Sequence, residues 1–311
     1  MAPVTRSVEP FGDVQTRPLP DGSLQIVATV LMEPDIEGAA CGLVLDASVS
    51  MRRFYGAIPT VSPLFRPAAL VPNVVEPVAR SVAGYLAGFS GEGYCPVLYG
   101  SCGSEGHDIE ELGEVRESDA PHLCVLGPQR HCWGRHTRLL PPLRSLVNGV
   151  FPSAPWSLAV IVTDGSIDDL ADLQRASRHW AREIADGSRP PFQVVIIGLG
   201  DPVYRESLVA LRDLWVDSPL RTPQGQPLEL WDFKLAADMR CLEELFARAV
   251  SPQTVVADWA RIIGPDGRIA AEYRDGMPAR LCFQLPSGSR SFTLELPSGR
   301  AVQNLPSPAS V

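Results

Sequence analysis

Apolar and polar positions alternate with two different textures along the chain. Residues 41–45, 157–162 and 193–199 are short, nearly continuous apolar runs, the pattern of strands buried on both faces. Around them, apolar residues recur at helical spacing. Val75, Val78, Val82, Tyr85, Leu86 and Phe89 predict a helix over 74–89. Leu170, Leu173, Trp180 and Ile184 predict another, capped by Asp168 and stopping near Gly187. Further helices are predicted at 139–150, where Pro141 and Pro142 suit only the first turn, at 203–215 and at 240–249. Further strands are predicted at 94–99, 108–115 and 228–233. Such alternation means βαβ units, and hence an α/β fold: a doubly wound, mainly parallel sheet with helices on both faces.

The texture changes after about residue 252. Residues 258–263, 268–273, 279–284 and 291–296 read as short strands between turns such as Pro265-Asp266-Gly267 and Pro286-Ser287-Gly288. They predict a small β-rich module at 253–311, following an α/β domain at 23–252. Residues 23–31 alternate like a half-exposed strand and have no helical partner. Pairing with the C-terminal module would make the α/β part an insertion within a β-sandwich. Residues 1–22 are rich in proline and polar groups and are expected to form a disordered tail. Residues 51–72 form a proline-studded insertion, and 116–136 a polar loop.

Composition narrows the function classes. The chain has 311 residues and a formal net charge of −9, which argues against a general binder of nucleic acid or anionic membrane. The N-terminus lacks a signal-peptide pattern, and no apolar run approaches the length of a membrane span. Seven irregularly spaced cysteines, without an export signal, point to free thiols in a cytoplasmic protein.

Two of the buried strands end in hard oxygen ligands. The first runs into Asp46-Ala47-Ser48-Val49-Ser50, the second into Asp164-Gly165, and Thr137 opens a helix between them. In a doubly wound sheet, ligands bind beyond the carboxyl ends of the strands, where strand order reverses. Carboxylates and hydroxyls suit Mg²⁺ or Mn²⁺. Alternation after the strand would aim Asp46, Ser48 and Ser50 at one centre.

The order Asp-x-Ser-x-Ser, Thr, Asp-Gly resembles the metal-ion-dependent adhesion site of von Willebrand factor A domains. Within that superfamily, Gly42-Leu-Val-Leu-Asp-Ala-Ser48, Pro96-Val-Leu-Tyr-Gly100, Val162-Thr-Asp-Gly-Ser-Ile-Asp-Asp169 and Val194-Val-Ile-Ile-Gly-Leu-Gly-Asp201 are similar to the copine and tellurium-resistance branch. The resemblance implies direct metal ligation by Ser48, Ser50 and Thr137. Asp46 and Asp164 would bind directly or through water, and one position would stay open for an Asp or Glu of a protein partner. It also implies a non-catalytic module in a bacterial stress-response or conflict system. There such domains are encoded with kinases, phosphatases, MoxR-type ATPases or proteases. Thr137 stands in Gly134-Arg135-His136-Thr137 instead of the usual Gly-Gly-Thr, with Thr163 as an alternative ligand.

Other chemistries compete for the same residues. A metal-dependent phosphate-ester hydrolase could use the same aspartates, but one of the haloacid-dehalogenase type needs a second carboxylate where Ser48 stands. No phosphate-binding Gly-x-x-x-x-Gly-Lys loop is present. Cys95, Cys102, His107, His122, Cys124, His131, Cys132 and His136 could supply zinc ligands, although no Cys-x-x-Cys pair occurs among them. Gly100-Ser101-Cys102-Gly103 with His107 lacks the third, orienting group of a cysteine nucleophile. A copine-like lipid-linked role would call for a preceding calcium-binding module.

Overall fold

A computed structural model describes residues 11–30, 37–57, 72–165, 167–199, 230–236, 255–297 and 299–305, with single positions between 210 and 245. It opens with a hairpin. β1 (Phe11–Pro18) pairs antiparallel with β2 (Leu24–Val30) across a turn in which Gly22 has φ 83° and Asp21 Oδ1 accepts from Ser23 N at 3.0 Å. This corrects the expected disordered tail over 1–22, since 11–18 form a strand. The charged residues and Pro18 obscured it in the sequence. β1 is an edge strand, where both are tolerated.

Two compact units follow from the chain's own contacts: residues 36–239 form one, and 1–35 with 240–311 the other. The expected boundaries at 22/23 and 252/253 therefore shift, and β2 falls outside the α/β unit.

The inner unit is built on a six-stranded sheet. Its strands are β3 (Ala40–Asp46), β4 (Cys95–Cys102), β5 (Asp108–Val115), β6 (Ser157–Thr163), β7 (Phe192–Gly198) and β8 (Trp231–Leu235). The order is β5-β4-β3-β6-β7-β8, parallel throughout except for β5. β3, β6 and β7 are buried along their whole length, as their unbroken apolar runs require. From β3 the chain passes outward to β4 and β5, then returns to β6 on the other side of β3. Strand order therefore reverses between β3 and β6.

α1 (Val75–Phe89) buries Val75, Ala79, Val82 and Leu86, and its first N–H groups at Val75 and Glu76 donate to Asn73 Oδ1. α2 (Leu140–Ser145) is shorter than the predicted 139–150. Residues 146–150 continue as one wider π-type turn that keeps Leu146 and Val147 buried. α3 (Leu170–Ala185) turns Leu173, Trp180 and Ile184 inward, and Trp180 meets Phe192 edge-on at 5.6 Å. Trp231 Nε1 donates to Ser177 Oγ, which donates to Leu173 O, so the indole N–H is satisfied inside the core. The predicted helix at 203–215 is described only at 210–211, where it is helical, and that at 240–249 lies outside the described residues except 242 and 245. The insertion at 51–72 is described at 51–57 and 72. Among the described residues, no helix is long and apolar enough to cross a membrane.

The outer unit is all β. β9 (Val255–Ala257), β10 (Ala260–Ile263), β11 (Ile269–Tyr273), β12 (Met277–Pro278), β13 (Arg280–Leu285), β14 (Ser291–Leu296) and β15 (Gly299–Asn304) follow in order. β13 pairs with β2, giving the sheet β1-β2-β13, and a second sheet runs β11-β10-β14-β15. Ile26, Ala28, Leu281 and Phe283 from the first sheet share one core with Ala260, Ile262, Phe292 and Leu294 from the second. That is a two-sheet sandwich. β15 has no counterpart among the predicted strands.

Candidate metal centre

Asp46 is the last residue of β3 and is fully buried. Its Oδ1 accepts from Ser48 N at 2.9 Å and its Oδ2 from Thr163 Oγ1 at 2.7 Å. Strand register explains the second bond: Leu45 lies beside Val162, so Asp46 comes beside Thr163. Tyr55 Oη donates to Asp46 O at 3.0 Å and pins the strand end from the other direction. Past Asp46 the chain forms a short 3₁₀ turn over 49–53, which brings Ser48 Oγ and Ser50 Oγ to 3.0 Å. Ser48 is buried and Ser50 exposed. Two neighbouring ligands on an octahedral Mg²⁺, each about 2.1 Å from the ion, stand roughly 3.0 Å apart. The two hydroxyls are hydrogen-bonded to each other at 3.0 Å, a separation that shared coordination would also allow.

Asp164 follows β6 and is nearly buried. Burial pushes the Asp46 carboxyl up to about 6; the bonds from Thr163 and Ser48 oppose this, and the charge of Asp164 adds to it. Two mutually repelling carboxylates, largely shielded from water, are a natural seat for a divalent cation. Thr163 Oγ1 is engaged twice, donating to Asp46 and accepting from Gly165 N at 3.2 Å.

Thr137 is brought in by a different route. Its N–H donates to Asp168 Oδ2 at 2.7 Å, and Asp168 N donates back to Thr137 O at 2.8 Å. Asp169 accepts from Leu139 N at 3.1 Å and Leu140 N at 2.9 Å. The expectation that Asp168 caps its own helix is thus corrected. Neither Asp168 nor Asp169 caps α3 with its side chain, and Asp169 instead closes the N-terminus of α2, across space. The loop after Asp164 and the loop at Thr137 are thereby locked together. Thr137 is buried, but no described hydrogen bond joins it to Asp46, Ser48, Ser50 or Asp164.

Several positioning residues carry no motif. Gly134 O accepts from Val49 N at 2.7 Å, and Gly134 N donates to Ala47 O at 3.1 Å, so the 128–138 loop runs beside the serine loop. Ser101 is buried at φ 56°, and its hydroxyl bonds both O and N of Arg138. Glu110 accepts from the N–H groups of Gln129, Arg130 and His131; burial alone would raise its carboxyl, yet these donors hold it below the usual range. Tyr55, Tyr99 and Trp133 pack together beneath the serine loop, with Tyr55 5.0 Å from Trp133. Non-local bonds make these roles, so spacing could not reveal them. The abrupt strand ends at Asp46 and Asp164 were the available signal.

The cysteines and histidines of 95–136 disperse. Cys95 and Cys102 are buried on β4, whereas Cys124 and Cys132 are exposed. His131 faces Asp108 and His136 faces Asp168, each at 3.6 Å. Among the described residues, no group of three or more His, Cys, Asp or Glu is placed to hold a metal. A divalent ion at Asp46 and Asp164 would therefore depend on the hydroxyls as well.

Cys41, Cys95, Cys102, Cys124, Cys132 and Cys282 are free thiols. Burial pushes Cys41 up to about 12 and, with the Glu110 and Asp108 charges, Cys102 likewise; Cys95 is raised too. In the native protein at pH 8, a thiol-specific alkylating reagent is expected to label Cys124, Cys132 and Cys282 within minutes. It should reach Cys41, Cys95 and Cys102 only on unfolding. Peptide mapping by mass spectrometry reads this directly, and early labelling of Cys41 would mean that the β3 core opens readily.

No family model and no curated protein matches the chain. Solved structures similar to it include a von Willebrand factor type A protein from Catenulispora acidiphila, at 13% identity and TM-score 0.39, covering 90% of this chain and 67% of that one. The pilus adhesin SpaC from Lactobacillus rhamnosus GG matches at 10% identity and TM-score 0.38, over 94% of this chain and 46% of its own. Human COPII-coat protein Sec24c matches at 10% identity and TM-score 0.35, over 91% and 46%. The chain thus spans less than half the length of the last two. Likenesses this distant say nothing of what the chain binds.

Proposed function

We propose that the inner unit is a von Willebrand factor A-type domain whose Asp46, Ser48, Ser50, Thr137 and Asp164 hold Mg²⁺ or Mn²⁺, and that it grips a partner protein through that ion. What supports this reading is that Asp46 and Asp164 stand at the ends of the neighbouring strands β3 and β6 where strand order reverses, that Asp46 holds Ser48 N with Ser48 Oγ 3.0 Å from Ser50 Oγ, and that the charge of Asp164 acts on the buried Asp46 carboxyl. The bound ion would supply an open coordination position for a partner's Asp or Glu. The chain's own residues position the ligands. Thr163 and Ser48 N orient Asp46, the Asp168–Thr137 pair joins two loops, and Gly134 braces the serines.

The role is non-catalytic on this reading. Ser48 occupies the position where a hydrolase of the haloacid-dehalogenase type needs its second carboxylate. The residue order further suggests the copine and tellurium-resistance branch, and with it a bacterial stress-response or conflict system. Its partners would be of the kinase, phosphatase, MoxR-type ATPase or protease kind.

Calorimetric titration with Mn²⁺ tests the site. Wild type is expected to bind one ion, and Ser48→Ala to weaken binding at least tenfold while leaving the far-ultraviolet spectrum unchanged. Equal Mn²⁺ affinity in the two proteins would remove Ser48 from the ligand set and sink the proposed site. Hydrolysis of p-nitrophenyl phosphate that depends on Asp46 would favour the hydrolase instead.

A further inference from the structure

Two segments anchored at the candidate metal centre carry the charge opposite to that of the acidic chain. Residues 49–57 contain Arg52 and Arg53, residues 128–138 contain Arg130, Arg135 and Arg138, and neither segment contains Asp or Glu, although the net charge of the chain is −9. Both segments are anchored at the site: Val49 N bonds Gly134 O, and Ser48 bridges Gly134. Arg135 follows that contact directly, and the Arg52 guanidinium lies 5.9 Å from the centre of the Trp133 ring. Arg53 stacks on Phe54 at 4.6 Å, so two of the arginines are held in place by aromatic faces.

The carboxylates on neighbouring elements are engaged elsewhere, Glu110 by the backbone N–H groups of Gln129, Arg130 and His131. Asp168 faces His136, Asp108 faces His131, and Arg138 Nε donates to the Glu105 carbonyl. Among the described residues, Arg52, Arg53, Arg130 and Arg135 enter no ion pair, and Arg53, Arg130 and Arg135 are exposed. Arginines that enter no ion pair, on adjoining segments of an acidic protein, attract an anionic partner and speed its encounter. Arginine also grips carboxylates in a two-pronged fashion.

We infer that the partner presents an acidic cluster, with one carboxylate for the metal and at least two more for the arginine rim formed by Arg52, Arg53 and Arg135. This rests on the metal-dependent docking reading. It adds that a single isolated Asp or Glu is a poor ligand. A nucleic acid is disfavoured, because the overall charge repels a long polyanion beyond the rim.

The test uses the full chain and fluorescein-labelled peptides, followed by anisotropy in Mg²⁺ or chelator. One peptide is hexaglutamate; the other has a single Glu in a Gly-Ser context. Hexaglutamate is expected to bind at least tenfold more tightly in Mg²⁺, to weaken with added salt, and to lose that advantage in the double variant Arg53→Glu, Arg135→Glu. The variant should keep the wild-type Mg²⁺-dependent rise in melting temperature, because both side chains are exposed. Equal binding of the two peptides, or an advantage that survives charge reversal, would overturn the acidic-cluster proposal and leave the metal site standing. Absence of any Mg²⁺ effect on melting or on peptide binding would overturn the docking reading itself. A labelled single-stranded DNA oligomer that binds as tightly as hexaglutamate would overturn the choice of partner.

Discussion

Asp46→Asn is expected to make the metal-free protein more stable and to abolish its response to Mg²⁺. In the folded chain Asp46 is fully buried, and its carboxyl is raised to about 6 from an ordinary value of 3.8. The sign follows from linkage. A carboxyl whose pKa is raised on folding carries no penalty below the unfolded value, an increasing one between the two values, and the full one above about 6. Keeping the carboxylate ionised at pH 7.5 therefore costs the metal-free fold about 3 kcal/mol. Asparagine removes the charge and keeps the shape. Its oxygen can still accept from Ser48 N, and its amide can donate to Thr163 Oγ1, with that hydroxyl turning to accept. A gain of about 1–3 kcal/mol corresponds to roughly 3–10 °C for a unit of this size. In Mg²⁺ at a hundredfold excess over its dissociation constant, wild type should recover about 2.7 kcal/mol and the variant nothing. Thermal melts in chelator at pH 5 and 7.5, then in Mg²⁺, read all of this. The wild-type deficit should shrink at pH 5. An Asn variant that melts below wild type at pH 7.5 would show that the carboxylate is solvated or paired, and that no strained charge awaits a cation.

Gly134→Ala is expected to be a severely damaging single-methyl change near the site. A Cβ at 134 would stand 2.0 Å from the backbone oxygen of Ser101 and 3.1 Å from Gly106 Cα. No side chain can swing aside to relieve this. Ser101 cannot retreat easily either, because it is buried at φ 56° with its hydroxyl tied to both ends of Arg138. The 128–138 loop must move away from β4, stretching the two bonds from Gly134 to Ala47 and Val49. A loss of about 3 kcal/mol or more is expected in urea unfolding, with weaker Mn²⁺ binding because the serine loop loses its brace. If the unfolding midpoint hardly moves, the loop is adaptable and Gly134 does not set the position of Ser48.

These two residues also show where sequence reading reaches and where it stops. Asp46 was legible because β3 is a pure apolar run that ends abruptly on a carboxylate, and burial on both faces leaves no other reading of such a run. The same holds for β6 and Asp164, and the reversal of strand order places the two strand ends side by side. Asp168 stands before a helix in the sequence, but its bond goes to a loop 31 residues earlier, and that of Asp169 to α2. Local periodicity contains no term for such long-range bonds. Glu110 looked like any acid on an edge strand, and nothing local shows that three backbone donors surround it. β1 is hard to read for a different reason: a register shift between Phe11 and Asp13, with Arg17 and Pro18 tolerated at a sheet edge, breaks its alternation.

The nested order of the two units bears on how the protein is made. β2 needs β13 as its neighbour, and the register joins Thr29 to Arg280. At roughly 5–20 residues per second, a ribosome synthesises the intervening 250 or so residues in about 13–50 s. Throughout that time the β1–β2 hairpin has one edge and one apolar face, including Ile26 and Ala28, without their partners. The inner unit is complete before those partners exist, so its folding precedes closure of the sandwich. Closure by so distant a pairing is slow, and a nascent hairpin with an open edge is a place for one chain to pair with another. Yield on overexpression is therefore governed less by the stability of the inner unit than by how long this hairpin waits.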